Sequence, residues 1–326
     1  MKNILKNEGD CMELRKVGII GVGHVGAHVA YALLLQGIAD ELVLISKDEV
    51  KLTSQVQDLN DAVPYAKQKC YVHAGTFQDL GNCDVVVYTA GNVGLLVGNT
   101  DRAAELKFTI PLARSCAQQI KDSGFKGIVV NVTNPCDVVT REIAKILELP
   151  KGHVIGTGTC LDTSRLLSKL SQYTTVNHNS IEAFMIGQHG NYQFCPWSSV
   201  YFQGVPLSVL EKKYPQFQFD KEQLMKEVIE AGWLTFKGKQ CTEYGIATTV
   251  TRMINAVFHD EKVILSASCE LDGEYGESDI YAGVPCIIGK EGFEKVLELP
   301  LNEEEKKKFR ECCEGIRENI TIAEEV

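Results

Sequence analysis

The sequence has no apolar run approaching the length needed to span a bilayer, and no surplus of positive charge. The first absence excludes a transmembrane span. The second, a net charge of −10, argues against nucleic acid or an anionic membrane surface as a partner, because both reward basic patches. The cysteines show no C-x-x-C spacing and no cysteine–histidine cluster at ligand spacing, so no metal is expected. Adjacent Cys312 and Cys313 do not suit a disulfide framework. Reduced thiols in a cytoplasmic setting are the expectation. Residues 1–14 are expected to form a mobile extension, because the opening stretch is polar and charged and lacks the apolar stretch of a secretory signal. Internal repeats and low-complexity linkers are absent.

What is present is enough apolar material for a large core. The 326 residues are 44% hydrophobic and 23% charged, a length that favours two closely packed domains. Near the start, the apolar run Val17-Gly18-Ile19-Ile20 leads into Gly21-x-Gly23-x-x-Gly26, followed by a segment rich in alanine and leucine. That is strand, tight turn and helix, the context that makes a glycine fingerprint informative. Gly21 permits the turn, Gly23 lets a pyrophosphate approach the backbone, and Gly26 lets the helix pack against the strand. The helix N-terminus then offers free N–H groups to phosphate. The continuous apolar runs at 41–46, 84–91 and 127–132 read as strands buried on both faces of a parallel sheet. The expected fold is therefore α/β, with a Rossmann doubly wound parallel sheet over 15–156 and a mixed α+β domain over 157–326. In the second half, 192–204, 263–270 and 283–289 read as strands, and 220–235, 242–258 and 302–319 as helices.

Three places leave alternatives open. An acid about twenty residues past the glycines usually holds the ribose of NAD, yet Ser46-Lys47 stands there, followed by Asp48. Serine and lysine could accept the 2′-phosphate of NADP; equally, Asp48 or the Ser46 hydroxyl could hold the ribose of NAD, which is favoured. Asn134, before Pro135, could donate its amide to a carbonyl oxygen or cap the helix that follows. Leu95, Leu96 and Val97, in a glycine-rich loop, could meet a substrate when a lid closes or pack on the neighbouring helix.

The stretches Val154-Ile155-Gly156-Thr157-Gly158-Thr159-Cys160-Leu161-Asp162-Thr163-Ser164-Arg165 and Ile186-Gly187-Gln188-His189-Gly190-Asn191 join the glycine turn, Thr133-Asn134-Pro135 and Asp101-Arg102. In this order and spacing they resemble the L-lactate/malate dehydrogenase family over nearly the whole chain. The segments 101–109 and 237–248 look most like its L-2-hydroxyisocaproate dehydrogenase branch. The resemblance implies hydride transfer between a nicotinamide cofactor and C2 of a 2-oxo or L-2-hydroxy acid. By the same resemblance His189 is the acid/base, Asp162 orients its imidazole, and Arg165 holds the substrate carboxylate. Arg102 is the lid arginine that polarises the carbonyl, Asn134 lies near the same oxygen, and Thr242 lines the pocket with Leu95 and Leu96. Gly21, Gly23, His24, Val25, Gly26, Ser46, Lys47, Ala90, Gly91, Asn92, Val132 and Asn134 fall where the cofactor binds.

Residue chemistry suits these roles. Histidine titrates near neutrality, and the arginine fork matches a carboxylate. A malate enzyme of the family places an arginine in the loop before Arg102; here that loop is apolar and two residues longer than a standard lactate enzyme's. A monocarboxylic substrate, pyruvate or a larger apolar 2-oxo acid, is expected. Leu167 and Glu182 occupy the positions of the basic pair through which fructose 1,6-bisphosphate activates some relatives, so no such activation is expected. The family also implies a homodimer or homotetramer. The rival readings are a malate-type NAD(P) enzyme and a dinucleotide-binding module without turnover.

Overall fold

The computed structural model describes residues 14–91, 102–190 and 192–326. Residues 1–13, the loop 92–101 and Asn191 lie outside the described residues, as do the side chains of 102–104. The expected extension, Asn92, Leu95 and Leu96 therefore fall outside them, and so does the Arg102 side chain.

The first half is a parallel sheet of β1 (Lys16–Ile20), β2 (Glu41–Ile45), β3 (Tyr71–Ala74), β4 (Val85–Tyr88), β5 (Ile128–Asn131) and β6 (Val154–Gly156). Their order is β3-β2-β1-β4-β5-β6, every pair parallel. The strands are short continuous apolar runs; all of β4 and β5 is buried, as sheet covered on both faces requires. The covering helices are α1 (His24–Gln36), α2 (Glu49–Ala62), α3 (Arg102–Asp122) and α4 (Cys136–Leu147). Because β1 has β2 on one side and β4 on the other, the strand order reverses there, and the crevice beyond the carboxyl ends of β1 and β4 faces the reversal.

The sheet does not stop at β6. After α5 (Cys160–Thr174), the short strands β7 (Ile181–Glu182), β8 (Ile186–Gly187), β9 (Gln193–Phe194), β10 (Tyr201–Phe202) and β11 (Val205–Pro206) lead to α6 (Leu207–Leu210), α7 (Lys221–Lys239) and α8 (Tyr244–Phe258). The chain closes with β12 (Val263–Asp272), β13 (Ser278–Gly289), β14 (Gly292–Val296) and α9 (Glu303–Glu324). Strand β12 joins β6 antiparallel at Ser268 and Gly156, and β13 joins β8 at Gly283 and Gly187. One continuous sheet thus runs from the glycine turn to the residues just before His189. A separate apolar cluster of Leu166, Leu170, Met185, Phe202, Phe217 and Leu224 binds α5 to α7 and β10.

Several expected elements differ. The strand read over 192–204 is two dipeptide strands, β9 and β10, separated by a 3-10 turn at Trp197–Ser199. Pro196 has no N–H for a ladder, which ends the first pairing. Strand β13 begins at Ser278 rather than 283, because polar Ser278 and Asp279 hide its start, and Asp279 takes a positive φ of 56°. The helix read from 242 begins at Tyr244, so Thr242 sits in the turn before α8.

Helix α1 is the test of this packing. Val29, Ala30, Leu33 and Leu34 are buried against the sheet, and Leu33 has no exposed surface. Leu33→Ala is expected to cost ~2–5 kcal/mol of unfolding free energy in a denaturant titration, from lost transfer energy plus the cavity left behind.

Candidate active site

The turn after β1 shows why its glycines are needed. Gly21 has φ of +93°, and its N–H donates to Ile45 O at 2.8 Å, which ties the turn to β2. A Cβ at Gly26 would lie 2.0 Å from Gly21 O and 2.8 Å from Thr89 Oγ1. The Thr89 hydroxyl donates to Gly21 O at 2.6 Å, so turn, helix and the end of β4 are locked together. Gly23 is the N-cap of α1 and makes no side-chain cap bond; a Cβ there would enter open space. The helix therefore presents its first amides, at His24, Val25 and Gly26, to a space only a glycine leaves clear. That space fits the pyrophosphate of a dinucleotide.

Around it, Thr133 Oγ1 donates to Ala90 O at 3.0 Å, and Val132 N to Tyr88 O at 2.9 Å, which places Ala90, Gly91 and Val132 side by side at the strand ends. Ser46 directly follows β2. Its Oγ accepts from Asp48 N at 3.2 Å, while Asp48 Oδ1 accepts from Lys51 N at 3.0 Å. The Asp48 carboxylate is thus engaged as the N-cap of α2, and Lys47 is exposed. His24 meets Glu243, from the turn before α8, through Nδ1 at 2.8 Å, and Lys239 donates to the same carboxylate.

At the other end of the crevice, Asp162 lies in the first turn of α5, after β6, and its side chain is 1% exposed. Its two oxygens are divided. His189 Nδ1 donates to Oδ2 at 2.6 Å, and Arg165 Nη1, one turn along the same helix, donates to Oδ1 at 2.9 Å. The carboxylate can only accept, so the Nδ1–H tautomer follows. Burial works against charge on both partners, but the mutual attraction and hydrogen bond outweigh it. His189 is held above the usual histidine range and Asp162 below the usual carboxylate range. Arg165 lies along α7, where a Cβ at Gly232 would sit 3.2 Å from its Nη1.

The structure corrects one alternative. Asn134 does not cap α4: the N-cap is Pro135, and no side chain caps this helix. The amide that organises the turn belongs to Asn131, which donates to Thr133 O, Cys136 O and Thr140 Oγ1. Asn134 and Thr242 are each half-buried.

Sequence reasoning missed buried Asp137, which meets the His189 backbone, buried Ser268, which donates to Asp137, and the Glu243 link to the glycine turn. The one signal for Asp137 was an acid inside an otherwise apolar stretch just past a proline. Nothing local marked Ser268.

A reversing parallel sheet beside an uncapped helix N-terminus, continued into a carboxylate-held imidazole, is the architecture of a dinucleotide-dependent dehydrogenase. Comparison with known proteins makes this specific. Residues 15–156 match the lactate/malate dehydrogenase NAD binding domain, and 159–326 the alpha/beta C-terminal domain of the same family. An L-lactate dehydrogenase of Fusobacterium nucleatum is 40% identical over 314 residues, covering 95% of this chain and 98% of that protein. One from Bacillus caldotenax is 38% identical over 303 residues, covering 93% and 95%. The ligand-bound minor L-lactate dehydrogenase of Enterococcus mundtii superposes with a TM-score of 0.90 at 31% identity, covering 94% of this chain and 98% of that one. The chain belongs to the lactate/malate dehydrogenase family and is an NAD-dependent oxidoreductase acting on a CH–OH group.

In the Asp162→Asn variant the pKa of His189, followed by NMR titration, is expected to fall by on the order of one unit or more, since the charge that raises it is gone. An unchanged pKa would show that the two groups are not electrostatically coupled.

Proposed function

We propose that the protein interconverts an apolar 2-oxo monocarboxylic acid, pyruvate or a larger acid such as 2-oxoisocaproate, and its L-2-hydroxy acid, with His189 as acid/base. The observation that carries this reading is the short Asp162–His189 contact, which engages Nδ1 and leaves Nε2 for proton exchange with substrate. Bound NADH supplies the hydride that C2 receives. His189 gives its proton to the carbonyl oxygen during reduction and takes it from the hydroxyl during oxidation. Asp162 fixes the imidazole and favours its charged form. Arg165 uses one nitrogen on Asp162 and keeps the rest of its fork for the substrate carboxylate. Arg102, the first residue of α3, adds positive charge at the carbonyl oxygen and excludes water; Asn134 donates to that oxygen.

Thr242, Leu95 and Leu96 line the side-chain pocket. The loop before Arg102 carries no base, so a second carboxylate would be left unpaired. The division of labour along the chain follows: 15–156 holds the cofactor through Gly21 to Gly26, Ser46, Ala90, Gly91, Asn92 and Val132, and 157–326 binds substrate. We assign the enzyme to the cytoplasm as a homodimer or homotetramer.

A second reading concerns the cofactor. With Ser46 directly after β2 and Asp48 engaged as the N-cap of α2, the position usual for a ribose-binding acid carries none, and exposed Lys47 could meet a 2′-phosphate. NADPH is therefore expected to support turnover, with NADH preferred.

A grid of pyruvate, 2-oxoisocaproate and oxaloacetate against NADH and NADPH tests both points. Oxaloacetate is expected to be poorer by tenfold or more in kcat/KM, the equivalent of ~1–3 kcal/mol for an unpaired polar group. A preference for oxaloacetate would overturn the substrate assignment. No turnover anywhere would favour a binding module.

A further inference from the structure

We propose that Asp137 is a positioning residue for the acid/base, a second buried carboxylate that anchors the His189 segment and keeps its imidazole basic. The proposal rests on the assignment of His189 as acid/base. Asp137 is the second residue of α4 and is 2% exposed. Its Oδ1 accepts from Ser268 Oγ at 2.6 Å, and its Oδ2 from the His189 backbone N–H at 3.3 Å. Three segments distant in sequence, the β5–α4 turn, β12 and the residues after β8, therefore meet on one carboxyl group.

A buried carboxylate without a cationic partner is costly, and a neutral side chain of the same shape would avoid the cost. Among the described residues no lysine or arginine pairs with Asp137. What faces it is His189, with the partial positive charge of the α4 N-terminus behind. Burial, with Asp162 nearby, pushes Asp137 up to about 6, while the Ser268 hydrogen bond, the His189 charge and the His189 N–H favour its ionised form. The other titratable groups nearby are Asp162 and Arg165 from α5, and thiols. Burial holds Cys136 and Cys312 up at about 12, and Cys269 and Cys313 well above the usual thiol range, so these thiols are neutral.

The charges acting on the imidazole are then Asp162, Asp137 and Arg165. Arg165 cancels part of what Asp162 contributes, and burial lowers basicity further. Asp137 adds negative charge near the imidazole, and among the described residues no arginine or lysine hydrogen bond to its carboxylate offsets it. It also fixes the backbone from which the ring projects.

The test compares the parent enzyme with Asp137→Asn and Ser268→Ala. Two readouts are used: the pH dependence of kcat/KM for pyruvate reduction, and the NMR titration of His189. Asp137→Asn is expected to move the alkaline fall in kcat/KM and the His189 midpoint to lower pH together, by about one unit, a tenfold change in acidity. Ser268→Ala removes the hydrogen bond that favours the ionised carboxylate, so a smaller shift in the same direction is expected. A variant that loses activity equally at every pH, with its midpoint unmoved, would show Asp137 to be merely structural and overturn the proposal. If Asp137→Asn does not fold, an unmoved midpoint in Ser268→Ala overturns it equally. Turnover that survives His189→Asn would remove the acid/base assignment instead, while the NMR shift in Asp137→Asn still reports on the electrostatic coupling.

Discussion

The site depends on one buried carboxylate with two cationic neighbours. Asp162 is almost fully enclosed, and a carboxylate in that position is tolerated only where its lone pairs are met. His189 takes one oxygen and Arg165 the other, so removing either would leave charge uncompensated in a low-dielectric setting. The same arrangement sets chemistry: it selects the imidazole tautomer, raises its basicity and aims Arg165 from the same helix face. Stability and reactivity here are one electrostatic problem, met by Asp162 and Arg165 on α5 together with His189 just after β8.

That turn is placed by the sheet. Strand β6 ends at Gly156, pairs with β12 at Ser268, and α5 starts four residues later. Because β12 and β13 continue the parallel sheet, the segment bearing His189 is registered against the strands that carry the glycine turn. The geometry between the glycine turn and His189 is therefore fixed by backbone ladders rather than by a flexible linker. The Glu243 bridge between His24 and Lys239 adds a side-chain tie between the turn before α8 and the first residue of α1.

How much of this was legible in the sequence follows the range of the interactions. The glycine turn is local: each residue answers to a neighbour within a few positions or to the adjacent strand, and the motif predicted its form. Apolar runs likewise marked β1, β2, β4 and β5. The pairing of Asp162 with Arg165 is a one-turn spacing on a helix and could be read directly. The union of Asp162 with His189 came only through family resemblance, since 27 positions separate them. Asp137 and Ser268, 131 positions apart, carried no such signal. Between Tyr192 and Gly204 the pattern misled, because β-prone residues flank a proline that breaks the ladder. Asn131 was overlooked beside Asn134 because its work is done on carbonyls that converge only once α4 has folded back.

Charge balance links the buried groups to the substrate class. With the assigned roles, Asp162 and Asp137 contribute two negative charges, and protonated His189, Arg165 and Arg102 three positive ones. A monocarboxylate brings the sum to zero. A dicarboxylate leaves one excess negative charge beside buried Asp162 and Asp137, where Coulomb interactions are several-fold stronger than in bulk water. A family member acting on dicarboxylates needs a further cation near the side-chain pocket, and the stretch from Asn92 to Asp101 contains none. On the proposed assignment the substrate's single carboxylate completes the balance against Asp162 and Asp137, which leaves no cation for a second carboxylate on the substrate.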